Sequence, residues 1–418
     1  MLYCKISRFE VVIIKTLIEL FDSCQTENVV AGLRFLPKKI VFVGFKEVMT
    51  KKRLRDLNKF FELRNINIEI ECEIVGRYDY DAICNKLNEI IDRNEDCCFD
   101  LTGGKELVLT AMGDVSAVRN IPMFQFNVRT GELIRVKNCD DIAEPEKASM
   151  TVNECVLLNG GAVVSDGGAD FNWDLNGDFK KDIDTIWEIC KENCGLWNRQ
   201  ATVFDSFERF GTVDDGCRVT VNLRKMRETG HDTLLDTELV SELVRRGLLT
   251  ECSITENVLT YTYKNDQVRQ CISKAGNILE LYVYKTAKEI AETEPGFYDD
   301  IDIGVFVDWD GVVHDSTSKE RDTRNEIDVI LMRDLVPVFI SCKNGEVHKE
   351  ALYELSIMAE RFGGEYARKI LLTSYVNTDS DSKKYLLQRA SDMGIKVIDG
   401  VDKMSKEEFA GELKSKAK

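Results

Sequence analysis

Through residues 1–148 short apolar runs alternate with amphipathic stretches, and this repetition limits the folds open to the chain more than any other feature. An apolar run at Val11–Leu20 is followed by a helical stretch at Asn28–Leu33. Lys39–Val43 (KIVFV) reads as a buried strand, and Met49–Leu63 as a helix with Leu54, Leu57, Phe60 and Phe61 on its apolar side. Ile68–Ile74 alternates as a strand should, Asp79–Asn94 is helical, and Cys97–Leu101 is a short strand running into a glycine turn. Parallel strands need crossover helices, so repeated β-α units predict a Rossmann-like sheet covered on both sides.

The organisation then changes. Cys139–Ser149, a charged stretch holding Pro145, marks a boundary, and Thr151-x-x-Glu154 is a capping box. Residues 160–180 are rich in Gly, Asp and Asn and are expected to form a loop. Thr237–Arg246 followed by a hairpin pattern suits a winged helix, or simply a mixed α+β connector. From Lys264 the order is helix (Asp266–Glu292), strand (Ile303–Val307), strands Asn325–Leu331 and Pro337–Cys342, helix Lys349–Phe362, strand Lys369–Thr373. That is the order of a restriction-endonuclease-like α/β core. The expected domains are therefore 1–148, 149–263 and 264–418.

Composition narrows function. Lys plus Arg number 56 against 73 Asp plus Glu, for a net charge of −17, which argues against holding nucleic acid through broad positive charge. It leaves room for acids that serve as metal ligands. No apolar run approaches the roughly 18–20 residues that span a bilayer, and the N-terminus lacks a signal-peptide pattern, so a cytoplasmic protein with no membrane partner is expected. The fourteen cysteines include no CxxC pair and the three histidines are dispersed, which favours reduced thiols over zinc or disulfides.

Two segments carry chemistry. In Asn325-Glu326-Ile327-Asp328-Val329, Glu326 and Asp328 are two apart and should share a strand face, with Ile327 and Val329 on the other; on the next strand Ser341 and Lys343 should share a face, backed by Ile340 and Cys342. Acids and a lysine on adjacent strands suit a hard divalent cation and a phosphate, although such groups are also common on solvated surfaces. Asp308 and Asp310 read as turn residues beside Trp309. The second segment, Asp100-Leu101-Thr102-Gly103-Gly104-Lys105-Glu106, leaves a strand and opens a helix. Its glycines allow close approach of a ligand, and helix N-terminal amides with Lys105 favour an anion. A tight turn without a ligand would have the same pattern.

These segments resemble CRISPR-associated Rossmann fold (CARF) effectors of type III CRISPR systems, with a PD-(D/E)xK nuclease domain, of the DUF1887 type. The resemblance implies that Glu280 is the helix acid, that Glu280, Glu326 and Asp328 hold Mn²⁺ or Mg²⁺, and that Lys343 is the catalytic lysine. The motif's acid two before the lysine is here Ser341, and Glu326 or Glu354 is the nearest substitute. The DLTGG-K segment and the Leu20–Ala31 stretch imply a cyclic-oligoadenylate pocket lined by Ser23, Thr26, Asn28, Thr102, Gly103, Gly104 and Lys105, with cyclic tetra-adenylate the expected ring, built across a homodimer. The implied activity is ligand-activated cutting of DNA, RNA or both, with Arg321, Arg324 and Lys349 as candidate strand contacts. The alternatives are a ligand-sensing CARF transcriptional regulator reading DNA through a winged helix, with Arg224-Lys225-Met226-Arg227 and Arg245-Arg246 as its basic clusters, and an enzyme degrading the ring.

Overall fold

The computed structural model describes residues 14–164, 173–231, 234–314, 323–375 and 380–418. Arg321, most of the N-terminal run before β1, and residues 165–172 of the expected loop lie outside them.

The first unit is β1 (Thr16–Leu20), α1 (Glu27–Phe35), β2 (Lys39–Gly44), α2 (Lys51–Leu63), β3 (Glu69–Ile74), α3 (Tyr80–Arg93), β4 (Cys97–Asp100), α4 (Glu106–Arg119), β5 (Met123–Asn127) and β6 (Glu132–Lys137). The strand order is β3-β2-β1-β4-β5-β6, parallel except for β6, which returns antiparallel to β5. Helices cover both faces, so β1 and β4 are buried at every residue, as their near-continuous apolar runs require. Thr50 and Asp79 cap α2 and α3 by accepting from backbone N–H groups of the first turn. The chain crosses to opposite sides of β1 on leaving it for β2 and on arriving at β4. The crevice outside the carboxyl ends of β1 and β4 is thus the topological switch point, where ligands gather in such sheets.

The middle of the chain forms α5 (Val152–Leu158), β7 (Ala162–Val163), α6 (Gly177–Glu192), α7 (Cys194–Phe210), β8 (Thr212–Val213), β9 (Arg218–Asn222), α8 (Leu223–Glu228), α9 (Thr237–Arg245), β10 (Leu249–Ile254) and β11 (Val258–Tyr263). Both bonds of the Thr151–Glu154 capping box form. The antiparallel sheet β10-β11-β9-β8 sets a strand, two helices and a hairpin in winged-helix order. The arginines of its two basic clusters bond within the unit while staying exposed. Arg245 and Arg246 both bond Glu242, Arg224 bonds Glu228, and Arg227 bonds backbone carbonyls.

The C-terminal unit is α10 (Asp266–Ser273), α11 (Asn277–Thr293), β12 (Asp300–Asp308), β13 (Arg324–Arg333), β14 (Val336–Lys343), α12 (Lys349–Gly363), β15 (Arg368–Thr373), α13 (Ser380–Asp392), β16 (Ile395–Asp399) and α14 (Lys406–Ala417). The expected Asp266–Glu292 helix is broken at 274–276, where Gly276 supplies a fresh N-terminus close before Glu280. The sheet runs β16-β15-β14-β13-β12-β7, so β7 of the middle stretch completes its edge. One face packs with α6, α7, α10 and α11 around Trp187, Leu279, Val329 and Ile340. The other joins α5, α12 and a face of the first sheet in a core holding Phe42, Phe60, Ile327, Phe339 and Phe362. The C-terminal sheet is thereby clamped between the other two units.

The expected strand alternation fails at Asp328. Ile327 belongs to the second of these cores and Val329 to the first, so they do not share a face. Opposite Asp328, between the Ile303–Val329 and Val305–Ile327 pairs, Gly304 adopts φ 61. That left-handed residue turns the strand pair and reverses which side chains point to which core.

Candidate active site and ligand crevice

The β13–β14 pairing runs from Arg333–Val336 to Val329–Ile340. Beyond it the Cys342 amide donates to Asp328 Oδ2 at 2.6 Å instead of to a strand carbonyl. Ser341 Oγ donates to the same oxygen at 3.3 Å, and Lys343 Nζ lies 3.7 Å from it. The side chain of Asp328 therefore fills the gap where the strands part. Ser341, standing where the motif has an acid, supports Asp328 as a donor. Glu280 projects from the first turn of α11. Burial pushes its carboxyl up to about 8, and the charges of Asp328 and Glu326 act in the same direction, partly offset by Lys343 and Lys274. Three acids and a lysine thus act on one another across the sheet and α11.

Beside them opens a cavity of about 460 Å³ lined by Glu280, Glu326, Lys274, Asn277, Asp302 and Trp173, among others. Lys274, Asn277 and Asp302 were not singled out from sequence. Asp302 was legible as the polar residue between Ile301 and Ile303, whereas the first two depend on the helix break. Among the described residues no group of three or more His, Cys, Asp and Glu forms a ready-made metal cage. Glu354 is exposed on α12, as is Lys349 at that helix's start, while Arg324 begins β13. Asp308, expected in a turn, is instead the buried last residue of β12, paired with Arg324, and its oxygens accept from the amides of Asp310 and Thr323 at 2.8 and 2.7 Å, closing the turn that follows.

At the first crevice the structure sorts the predicted pocket residues into two tiers. Asn28 is buried, accepts from the Asp22 amide at 2.7 Å and donates to the Asp22 carbonyl and Gln25. Thr102 is buried too, bonding Asp100 and accepting from the Phe126 amide at 2.9 Å. These side chains, with buried Thr26 at the start of α1, shape the loops from beneath. Ser23 and Lys105 are exposed, and Gly103 and Gly104 partly so, at the rim. A Cβ on Gly103 would stand 2.9 Å from a Glu27 carboxylate oxygen, so the loop and α1 are in contact. The other Glu27 oxygen accepts from Tyr366 Oη at 2.6 Å, and Tyr366 lies between α12 and β15 of the C-terminal unit. Burial pushes Glu27 up to about 7, against the lowering effect of that bond.

Under the crevice, Glu19 and Asp100 face each other on paired strands, both buried, each with one oxygen lacking a partner. Burial raises Glu19 well above the carboxylate range and Asp100 to about 6. Both folded-state values lie above the unfolded ones, so the folded protein retains protons that the unfolded chain releases, and stability falls as pH rises through this window. Glu19→Gln should remove most of that slope and leave the protein more stable than wild type by about 1–3 kcal/mol near pH 8, with the gap closing toward pH 5. Urea unfolding at the two pH values measures it, and an unchanged slope would refute the account.

No curated protein sequence matches this chain significantly. Residues 266–410 match the family model described as Card1-like, endonuclease domain. Among solved structures, protein VC1899 from Vibrio cholerae superposes with a TM-score of 0.72 at 19% identity, covering 96% of this chain and 97% of that one. Can2 from Sulfobacillus thermosulfidooxidans, solved in complex with cyclic tetra-adenylate, superposes with a TM-score of 0.63 at 17% identity, covering 97% of each chain. Residues 266–410, which carry Asp328 and Lys343 at the parted strands, are thus similar to Card1-like endonuclease domains, and the whole chain shares the fold of VC1899 and of Can2.

Proposed function

We propose that this protein is a cyclic-oligoadenylate-activated, metal-dependent nuclease of type III CRISPR defence. The observation that carries the reading is the cluster at the parted strands: Asp328 anchored on the Cys342 amide, Lys343 beside it, and Glu280 pushed up by burial with the neighbouring acids acting in the same direction. Like charges held together against their mutual repulsion suit a divalent cation, and an all-oxygen donor set suits Mn²⁺ or Mg²⁺. Glu280, Glu326 and Asp328 would hold it, with waters completing the shell, since such ions commonly keep several. When bound, the cation would supply Lewis acidity toward a phosphoryl oxygen and a more acidic water. Lys343 would place its ammonium against the charge that develops on the phosphodiester, and Asp328 keeps that ammonium oriented.

Activation would begin at the first crevice, with Ser23, Gly103, Gly104 and Lys105 meeting the ring and Thr26, Asn28 and Thr102 fixing the loops. A ring with internal symmetry fits a homodimer in which each protomer supplies the same contacts. Glu27 touches the ligand loop and bonds Tyr366, which supports a direct route into the nuclease domain. For a ligand to activate, it must favour the cutting arrangement over the resting one. Among the described residues no helix is long and apolar enough to cross a membrane, and every described cysteine is free, which suits a cytoplasmic protein.

The test is an assay on plasmid DNA, single-stranded DNA and RNA with Mn²⁺, with and without cyclic tetra-adenylate. Cutting of at least one substrate is expected only when ring and metal are both present. Absence of cutting throughout, with sequence-specific duplex binding, would favour the regulator.

A further inference from the structure

Lys343 is the last residue of β14, and its reach toward Asp328 depends on how the chain leaves the strand. On one side β15 holds it, pairing Thr373 with Lys343 and donating the Ser374 amide to the Lys343 carbonyl at 3.3 Å. On the other side the ladder to β13 has already given way to the Asp328 carboxylate. The chain then turns through Gly345 at φ 148, and Thr373 Oγ1 shares its hydrogen between the Tyr375 carbonyl at 2.9 Å and the Gly345 carbonyl at 3.2 Å.

The residue within this turn, Asn344, is gripped by the middle region. Asn198, from α7, donates its Nδ2 to the Asn344 carbonyl, and Asn344 Nδ2 donates back to Asn198 Oδ1 at 3.1 Å. The same Asn344 nitrogen lies 3.3 Å from Cys190 Sγ at the end of α6. Two amides bonded reciprocally fix the peptide plane after Asn344, one residue beyond Lys343, and the Asn344 side chain itself. A lysine has four rotatable side-chain bonds, so the backbone at its root decides which volume the ammonium searches.

We propose that Asn198 is a positioning residue for Lys343: the middle region braces the active-site turn through the Asn198–Asn344 pair. The proposal rests on the nuclease reading above. A lysine held in place reacts from the orientation its partner carboxylate prescribes, and loss of the brace lowers the fraction of bound substrate that meets it correctly. The effect should therefore appear in kcat and not in KM.

Asn198→Ala and Asn344→Ala are compared with wild type under activating conditions, at a temperature below the melting of all three. Each should lower kcat by about ten- to a hundred-fold with KM and cyclic tetra-adenylate affinity unchanged. The double variant should be no worse than either single one, because both remove the same pair. Wild-type kcat in Asn198→Ala, or losses that multiply in the double variant, would overturn the proposal. A rise in KM with kcat retained would overturn it equally, placing Asn198 in substrate binding. A wild-type protein that cuts nothing would instead overturn the nuclease reading, and this one with it.

Discussion

Lys343→Ala and Asp328→Asn, made separately, should each cut about 10²- to 10³-fold more slowly than wild type while binding cyclic tetra-adenylate unchanged. The two substitutions remove different things. Lys343→Ala deletes the ammonium that lies 3.7 Å from Asp328 and leaves the fold alone, since the side chain is more than a third exposed. Asp328→Asn keeps an oxygen that can accept from the Cys342 amide, so the parted strands stay tied, but it removes the charge a divalent cation and Lys343 both need. Asp328→Ala is the less informative variant, because it also strands the Cys342 amide in a partly buried position at a cost of about 1–3 kcal/mol. Melting curves should separate the three: Lys343→Ala and Asp328→Asn near wild type, Asp328→Ala lower. Normal cutting by either of the first two would mean that the reactive centre lies elsewhere.

Much of this arrangement was legible in the sequence where it rests on periodicity. The buried run KIVFV, the DLTGG turn and the strand–strand–helix order after Ile303 became β2, the β4–α4 turn and the core of the C-terminal sheet. What periodicity could not give was the break at Asp328. Period-two alternation assumes an unbroken strand, and the reversal comes from Gly304 on the neighbouring strand, whose register no local pattern encodes. Ser341 looked like a lost ligand because the motif was read one strand at a time; its hydroxyl turns out to support Asp328 across the gap. Nor could sequence tell which pocket residues face outward. Asn28 and Thr102 carry the polarity expected of ligand contacts, yet their bonds close the loops on themselves. Asn198 and Tyr366 gave no signal, since each acts on a partner far along the chain and neither lies in a motif. The helix break at 274–276 was foreshadowed by Gly276, though the apolar pattern ran through it.

Gly104→Ala should sharply reduce activation at cyclic tetra-adenylate concentrations that just saturate wild type, while leaving the nuclease centre intact. Gly104 stands at φ 150, a conformation that costs an L side chain about 1–3 kcal/mol. A Cβ there would also stand 2.6 Å from Leu109 Cδ2 and 2.9 Å from Leu109 Cγ. Turning the Leu109 side chain relieves part of the overlap but not the backbone strain, so the loop itself must move. It is not free to move far. Thr102 is tied to Asp100 and to the Phe126 amide, and α4 begins at Glu106, so the displacement falls on Gly103, Gly104 and Lys105 at the rim. Those are the groups whose amides and ammonium would meet the ring's phosphates, so strain of this size should weaken binding by about ten- to a hundred-fold. Calorimetric titration reads the affinity directly. Raising the ring concentration by the same factor should restore cutting, because Asp328 and Lys343 are untouched. If Gly104→Ala binds the ring normally, the ligand does not approach this turn and the pocket must be sought elsewhere. If it binds weakly but cutting does not return at high ring concentration, the turn also carries the signal onward, through the contact of Gly103 with Glu27 and of Glu27 with Tyr366.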